Sequence, residues 1–143
     1  YIKGKLLSIM HSLPMAKEGA LILVGCGPEE TQEAQALMFA VLLRQQGFFV
    51  EYLGPDLPTE DLIDYALQVR PKVICLTITQ EETAYLLKGF GAQLLTLRGK
   101  PKFAYTGKYI DENEAARADL GGIYLGSSFA QGIEKIKQII SIG

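Results

Sequence analysis

The chain has 143 residues, of which 48% are apolar and 21% are charged, and its formal net charge is −2. This composition is typical of one soluble globular domain with a sizeable core, and the charge excludes the basic footprint of a nucleic-acid-binding surface. No apolar run approaches the roughly 20 residues of a membrane span and no signal peptide is visible, so we expect a cytoplasmic protein without a membrane partner.

The amino-terminal residues follow a helical pattern. Apolar side chains recur at helical spacing from Ile2 to Leu13, and Pro14 stops the pattern. The sequence starts without a methionine and already in this rhythm, which indicates a fragment of a longer protein. We therefore expect residues 1–14 to be the terminal helix of a preceding helical-bundle module and residues 15–143 to form an α/β domain.

Five short apolar segments alternate with helical patterns in the rest of the chain. Strands are predicted at residues 20–25, 48–53, 73–79, 102–106 and 122–125, and helices at residues 31–46, 59–69, 81–97, 111–118 and 128–140. Such alternation is typical of βαβ units, in which parallel strands carry helices on both faces of the sheet. We predict a flavodoxin-like (Rossmann-like) α/β fold with five parallel strands in the order 2-1-3-4-5 and a ligand crevice between strands one and three.

Polar residues and glycines lie where several of these strands end. They are Glu30, Gln32, Thr77, Thr79, Thr106, Gly107, Gly126, Ser127 and Ser128. A single threonine at such a position commonly satisfies backbone groups of the loop, which is a structural role. Because the carboxyl ends of parallel strands share one edge of the sheet, the set as a whole describes a polar crevice that would hold a ligand through neutral hydrogen bonds.

Catalytic motifs are missing from the sequence. There is no Ser-His-Asp set, no G-x-S-x-G elbow and no Walker A motif, and the single histidine, His11, lies on the first predicted helix. Gly25-x-Gly27 lacks the third glycine of a dinucleotide fingerprint, and Cys26 and Cys75 match no metal-ligand spacing. Cys26 is a candidate low-pKa thiol beside a helix N-terminus, although a small residue filling a tight turn is the simpler interpretation. We therefore predict that the domain is not an enzyme.

Two segments carry a resemblance to a known family. The sequences LMFAVLLRQQG at residues 37–47 and YLGPDLPTEDL at residues 52–62 are similar to the cobalamin-binding domains of MerR-type transcription regulators, including the light-responsive B12 photoreceptors. The helix ending at Leu13-Pro14 resembles the last helix of the four-helix module that precedes such a domain. The resemblance covers nearly the whole chain and implies a B12-binding fold, cobalamin as the cofactor, and DNA contact through an N-terminal winged-helix module outside this chain.

The family's first signature for holding cobalamin is altered in this sequence. It reads acid-x-His-x-x-Gly, with a histidine that ligates cobalt from below and a glycine beside the buried tail of the cofactor. Here Glu30 keeps the acid, but Gln32 replaces the histidine and Gln35 replaces the glycine. A primary amide offers cobalt only a weak carbonyl oxygen, so the comparison implies no axial ligand at residue 32 and a longer side chain in the path of the tail.

The second and third signatures also depart from the family. Ser-x-Leu after strand three reads TIT at residues 77–79, so that Thr77 keeps a hydroxyl while Thr79 replaces the leucine. Gly-Gly after strand four reads Thr106-Gly107, which narrows the wall of the cofactor site and disfavours a positive φ at residue 106. The changes in all three signatures argue against cobalamin bound in the histidine-ligated mode.

The main hypothesis is a sensory or regulatory C-terminal domain of a MerR-like regulator that has lost histidine ligation of cobalt. Such a domain would act through self-association or by sensing another small ligand. An alternative is that cobalamin is still bound without a protein ligand below the cobalt, through hydrogen bonds from Glu30, Gln32, Thr77 and Thr106. A corrinoid carrier subunit of a methyltransferase or mutase ranks last, because such a carrier depends on the histidine loop.

Overall fold

The computed structural model describes Lys5 and residues 19–142. The predicted helix at residues 1–14, with His11 on it, lies outside the described residues except for Lys5, which is helical. The boundary between a helical module and an α/β domain therefore stays a prediction.

A five-stranded parallel sheet forms the centre of the described region. Its strands are β1 (Leu21–Cys26), β2 (Phe49–Gly54), β3 (Val73–Thr77), β4 (Lys102–Thr106) and β5 (Ile123–Tyr124). They lie in the order β2-β1-β3-β4-β5, and every neighbouring pair is parallel. The predicted flavodoxin-like sheet and its strand order are confirmed.

Helices cover both faces of the sheet, as predicted. They are α1 (Ala34–Gln45), α2 (Thr59–Val69), α3 (Glu81–Leu86), α4 (Phe90–Leu95), α5 (Lys108–Glu112), α6 (Glu114–Leu120) and α7 (Phe129–Ile142). Because successive side chains of a strand point to opposite faces, Val24 joins the apolar core beneath α1 and α7, whereas Leu23 joins the core beneath α2 to α6. None of the helices in the described part is long and apolar enough to cross a membrane.

Two predicted helices are each divided in two. The predicted helix at residues 81–97 is interrupted between α3 and α4, where Gly89 has a φ of +73° and its N–H donates to the carbonyl oxygen of Asp119. The predicted helix at residues 111–118 becomes α5 and α6, which meet at Asn113, a residue with φ −131° and ψ 75°. Both breaks lie where the backbone leaves the helical conformation, and helical periodicity in the sequence does not reveal them.

The strand register brings three side chains to one level at the carboxyl edge of the sheet. Cys26 of β1 pairs with Thr77 of β3, and Thr77 pairs with Thr106 of β4. Cys75 and Ala104, two residues earlier on β3 and β4, belong to the core beneath α1 and α7. By alternation, the side chains of Thr77 and Thr106 face the same side of the sheet.

Replacing Gly91 by alanine is expected to destabilise the fold by about 3 kcal/mol or more, because overpacking against rigid backbone cannot be relieved locally. A Cβ at Gly91 would lie 1.4 Å from the carbonyl oxygen of Gly121. Gly47→Ala is the control. A Cβ at Gly47 would meet no other atom, so its replacement costs only the strain of a positive φ (+91°), which is about 1–2 kcal/mol. Guanidinium denaturation measures both losses, and equal losses would contradict the tight packing of α4 at Gly121.

Candidate functional site

A buried carboxylate holds the loop between β1 and α1 in place. The side chain of Glu30 is only 1% exposed. Its carboxylate accepts a hydrogen bond of 2.7 Å from the backbone N–H of Thr79 and a second one from the Thr79 hydroxyl. β3 ends at Thr77 rather than at residue 79, because the Thr79 N–H is directed to this carboxylate instead of a neighbouring strand. Charge-assisted hydrogen bonds of this kind compensate the burial of the carboxylate.

The same loop has further hydrogen bonds to the segment after β2 and to α3. The N–H of Asp56 donates to the carbonyl oxygen of Glu30 at 2.8 Å, and the N–H of Glu29 donates to the Asp56 carboxylate at 2.8 Å. The Thr83 hydroxyl donates to the carbonyl oxygen of Pro28 at 2.7 Å. Asp56 and Thr83 were missed by the sequence analysis, although Asp56 lies in the YLGPDLP segment that carries the family resemblance. These contacts fix the loop to three elements of the fold.

Gln32 and Gln35, which replace the signature histidine and glycine, are both exposed. The carbonyl oxygen of Gln32 accepts a weak hydrogen bond from the Cys26 thiol at 3.7 Å. Gln35 lies on the first turn of α1 and lines a cavity described below. The structure therefore places the two amide side chains at the surface of the loop and the helix, whereas Glu30 between the strand ends is enclosed.

A polar cluster lies beneath this loop. Tyr52 of β2 donates a hydrogen bond of 2.8 Å to the carboxylate of Glu33, and the Cys26 thiol lies beside the hydroxyl groups of Tyr52 and Thr77. Burial raises the pKa of the Cys26 thiol, and burial together with the bond to Glu33 raises the pKa of Tyr52. Both groups are therefore protonated at neutral pH. The candidate low-pKa thiol at Cys26 is not supported, because desolvation outweighs the helix N-terminus.

Thr77 carries the one buried side-chain oxygen or nitrogen atom without a hydrogen-bond partner in the described part of the chain. The residue is 3% exposed. The adjacent Cys26 sulfur is a weak acceptor and does not meet the geometry of a hydrogen bond to this hydroxyl. Buried hydroxyl groups are usually paired, so this oxygen is an unused hydrogen-bonding group at the carboxyl edge of the sheet.

A cavity of about 230 Å³ opens between α1, α7 and the ends of β4 and β5. The residues that line it are Gln35, Phe39, Thr106, Leu125, Ser127, Ser128, Phe129 and Gly132. The rings of Phe39 and Phe129 stack with their centroids 6.3 Å apart and their planes at 16°. The hydroxyl of Thr106 donates to the carbonyl oxygen of Gly126 at 3.0 Å, which ties the end of β4 to the loop after β5.

The two glycines predicted as site residues have structural reasons of their own. Gly107 has a φ of +133°, and a Cβ there would lie 2.2 Å from the backbone oxygen of Ile78. Gly126 has a φ of +91°, and a Cβ there would lie 2.6 Å from the side-chain oxygen of Gln131, which also accepts a hydrogen bond from the Ser127 N–H at 2.9 Å. Neither glycine needs a ligand to explain it.

The predicted site residues thus form two groups. Glu30 and Thr79 bind each other in the interior, with Thr77 nearby on β3, whereas Gln35, Thr106 and Ser127 line the cavity. Three further residues of the cavity wall were not predicted as site residues. They are Phe39, Phe129 and Gly132. Their apolar spacing on helices is the same as that of ordinary core residues, so no local signal separates them.

Comparisons with known proteins give sequence relatives of this chain. No protein-family model matches the chain. The HTH-type transcriptional repressor CarH of Myxococcus xanthus is 32% identical over 83 residues, which are 58% of this chain and 27% of CarH. The HTH-type transcriptional repressor CarA of the same organism is 30% identical over 91 residues, which are 61% of this chain and 32% of CarA. The chain thus spans less than a third of these curated relatives.

Solved structures with the same fold include a cobalamin-binding protein from Desulfitobacterium hafniense. It superposes with a TM-score of 0.76 at 19% identity, over 86% of this chain and 60% of that protein. This chain has the fold of a cobalamin-binding domain. The methanol:cobalamin methyltransferase complex MtaBC from Methanosarcina barkeri superposes with a TM-score of 0.74 at 23% identity, over 92% of this chain and 50% of that one.

The monomethylamine corrinoid protein of Methanosarcina barkeri has the same fold. It superposes with a TM-score of 0.71 at 15% identity, over 96% of this chain and 65% of that protein. At such identities the structural similarity establishes the fold alone. The resemblance to the B12-binding domains of MerR-type regulators, predicted from residues 37–62, is confirmed by the similarity to CarH and CarA.

Replacing Glu30 by alanine is expected to lower the free energy of unfolding by about 2–4 kcal/mol, because two donors on the half-buried Thr79 lose their charged, buried acceptor. Glu29→Ala is the matched control, since the Glu29 side chain is exposed and only its backbone groups are hydrogen-bonded, so that a change within about 0.5 kcal/mol is expected. Urea denaturation followed by circular dichroism measures both. Equal effects of the two substitutions would show that the Glu30 carboxylate is not the anchor of the loop.

The thiols of Cys26 and Cys75 are expected to resist an aromatic disulfide reagent in the folded protein. Both are buried, and burial raises the pKa of each, so that little thiolate is present near the ordinary thiol pKa of about 8.5. Both should react at once after addition of denaturant. Fast reaction of the native protein, abolished by Cys26→Ser, would instead reveal an activated thiol at the end of β1.

Proposed function

We propose that this domain is a sensory and regulatory module of a MerR-type transcription regulator, with a B12-binding fold that has lost histidine ligation of cobalt. The observation that carries the proposal is the sequence similarity to the repressors CarH and CarA, combined with an exposed amide, Gln32, at the position of the cobalt ligand. The formal charge of −2 provides no basic surface for DNA. DNA would be contacted by a separate module of the regulator.

The residues at the carboxyl edge of the sheet do not fit a cobalamin that is ligated from below by the protein. Gln32 would offer an amide oxygen, which is a poor ligand for cobalt compared with an imidazole nitrogen. The Glu30 carboxylate accepts two hydrogen bonds from Thr79, which hold it at the end of β3. The cavity beside Gln35 and Thr106 has about 230 Å³, which is less than the roughly 300 Å³ at the lower end of small-molecule pockets.

A binding role suits these residues better than a catalytic one. Both curated relatives are named as repressors. Among the described residues there is no cluster of three or more His, Cys, Asp or Glu side chains that would hold a metal ion. The Cys26 thiol is protonated and enclosed rather than nucleophilic. Regulation would therefore proceed by self-association of the domain or by binding of another small molecule.

Cobalamin binding without a protein ligand is the second candidate. It is favoured by the fold and by the hydroxyl of Thr77, which has no hydrogen-bond partner among the described residues. This hydroxyl would form a hydrogen bond with a cofactor placed at the strand ends, either as donor or as acceptor. A corrinoid carrier subunit is the third candidate and ranks last: MtaBC and the monomethylamine corrinoid protein share the fold, but such a carrier would depend on the histidine loop. In either case the chain's own contribution would be hydrogen bonding and shape, with the chemistry supplied by the cofactor.

Titration with hydroxocobalamin, methylcobalamin and adenosylcobalamin is expected to give no saturable change in the visible spectrum at micromolar protein. The gain-of-function control is the variant Gln32→His with Gln35→Gly and Thr106→Gly, which restores the first and third signatures. A spectral shift is expected in this variant, since an imidazole nitrogen replaces an amide oxygen as the potential ligand. Circular dichroism of both proteins checks that the comparison is made on folded material.

A saturable shift in the unaltered protein would contradict the proposed loss of cobalt ligation if Gln32→Ala abolished it. A shift that Gln32→Ala leaves unchanged would favour the second candidate, in which no protein atom ligates cobalt. Sedimentation velocity on the same samples measures self-association, and a strict monomer at all concentrations would leave ligand sensing as the role of this domain.

A further inference from the structure

We propose that the amino-terminal edge of the sheet is an interaction surface for an acidic segment of a partner protein that carries an apolar side chain. This surface, the basic edge, lies opposite the carboxyl edge described above. It consists of the connections that lead into β3 and β4 and of an apolar groove between α4 and the first residues of β4 and β5. The inference goes beyond the proposed function, because it does not depend on any ligand at the carboxyl edge.

The charges of this chain nearly cancel, but they are unevenly distributed. Five basic residues lie at the starts of β3 and β4 or in the connections just before them: Arg70, Lys72, Arg98, Lys100 and Lys102. The two connections are neighbours, because β3 and β4 pair in parallel and the N–H of Lys102 donates to the carbonyl oxygen of Lys72 at 3.0 Å. Residues 65–80 and 83–110 contain no aspartate or glutamate. The segments that form the basic edge therefore carry positive charge without acids of their own.

The five cationic groups are available to a partner. Three of them are exposed and two, Lys72 and Lys102, are half-buried. None of the five forms a hydrogen bond, an ion pair or a cation–π contact through its side chain with another described residue. Asp119, at the end of α6, lines a different cavity together with Glu81. Clustered charges of one sign repel each other, and an anionic partner relieves this repulsion.

The same backbone arrangement occurs twice at the basic edge. Arg70-Pro71-Lys72 leads into β3 and Lys100-Pro101-Lys102 leads into β4, each with a buried proline. The first residue of each triplet is in the left-handed region, with a φ of +50° at Arg70 and +49° at Lys100. Glycine adopts this conformation more readily than a residue with a Cβ. The dipole of α2 favours a cation at Arg70, but Lys100 lies beyond the end of α4, so its basic side chain points to a role for the charge itself.

An apolar groove adjoins the basic residues. It has a volume of about 230 Å³, and its walls include Gly91 and Leu95 of α4, Lys102 and Phe103 of β4, and Ile123 of β5. Leu95 is 48% exposed, although it is a large apolar residue. Lys102 belongs both to the groove and to the basic residues, so the two features are continuous. A groove of this kind accepts an apolar anchor side chain from a partner.

An acidic protein segment with an apolar anchor matches both features. Carboxylates form charge-assisted hydrogen bonds with arginine and lysine. Burial of an apolar side chain against Leu95 removes apolar surface of both partners from water. A nucleic-acid backbone would pair with the cations but would leave the groove and the exposed Leu95 unmatched. The combination therefore favours a peptide over a nucleic acid.

Fluorescence anisotropy with a labelled synthetic peptide tests this inference. The peptide consists of aspartate and glutamate around a central leucine-phenylalanine pair. One control peptide has two serines in place of this pair, and the other has asparagine and glutamine in place of the acids. Saturable binding is expected for the first peptide at low ionic strength, and binding about tenfold weaker for each control, since one lacks the anchor and the other lacks the charge. The affinity should fall as salt is added, because the attraction is between exposed charges.

Matched double substitutions show whether the basic edge is the site. Arg98→Glu with Lys100→Glu is expected to weaken binding of the acidic peptide about tenfold or more. Lys135→Glu with Lys137→Glu makes the same change of charge on exposed residues of α7, which covers the other face of the sheet. This control should alter the affinity by less than about twofold.

Two single substitutions separate the anchor and the charge from fold stability. Leu95→Ser should weaken binding of the peptide with the apolar pair but not of the serine peptide. Its control is Leu86→Ser, because Leu86 of α3 is similarly exposed, at 45%, and does not line the groove. Lys100→Gly should weaken peptide binding severalfold without lowering the midpoint of urea denaturation, since glycine adopts the φ of +49° without strain.

Absence of saturable binding by the acidic peptide would overturn the inference, as would equal effects of the two double substitutions in variants that circular dichroism shows to be folded. Duplex DNA of arbitrary sequence tests the other class of polyanion. Binding of DNA that is tighter than that of the peptide and unchanged by Leu95→Ser would also overturn the inference, because the basic edge would then be a nucleic-acid surface. These measurements involve no cobalamin, so a negative result leaves the proposed function unaffected.

Discussion

The buried carboxylate of Glu30 is the contact on which the geometry of this edge of the domain depends. A charged group that is 1% exposed is tolerated only with strong donors, and the N–H and hydroxyl of Thr79 are those donors. Their bonds fasten the loop after β1 to the end of β3, and Asp56 fastens the same loop to the end of β2. The positions of Gln32 and of the first turn of α1 follow from this anchoring.

The contacts of Glu30 give this acid a structural role of its own. In the family signature an acid stands two residues before the cobalt ligand, and here residue 32 is an exposed glutamine. Loss of the carboxylate would leave two donors on the half-buried Thr79 without their charged acceptor. The structural need for the acid is thus separate from cofactor binding.

The cavity beside this anchor results from how α1 and α7 meet over the sheet. Gly132 permits α7 to approach the Phe39 ring, and the pair of stacked rings leaves a neutral space of about 230 Å³ below Gln35 and Thr106. The chain has the fold of a cobalamin-binding domain, and one fold can support several functions.

The sequence by itself determined the five strands, their parallel order and the covering of both faces, because apolar periodicity is local and right-handed βαβ crossovers allow few topologies. It also identified Glu30, Thr79 and Thr106 as residues of one edge, since parallel strands end together. Only the tertiary structure decided that Glu30 and Thr79, separated by 49 positions, bind each other, and that Phe39 and Phe129 wall a cavity. The physical reason is that a side chain's partner depends on which strands and helices become neighbours, and a residue that lines a cavity has the same local pattern as one that fills a core.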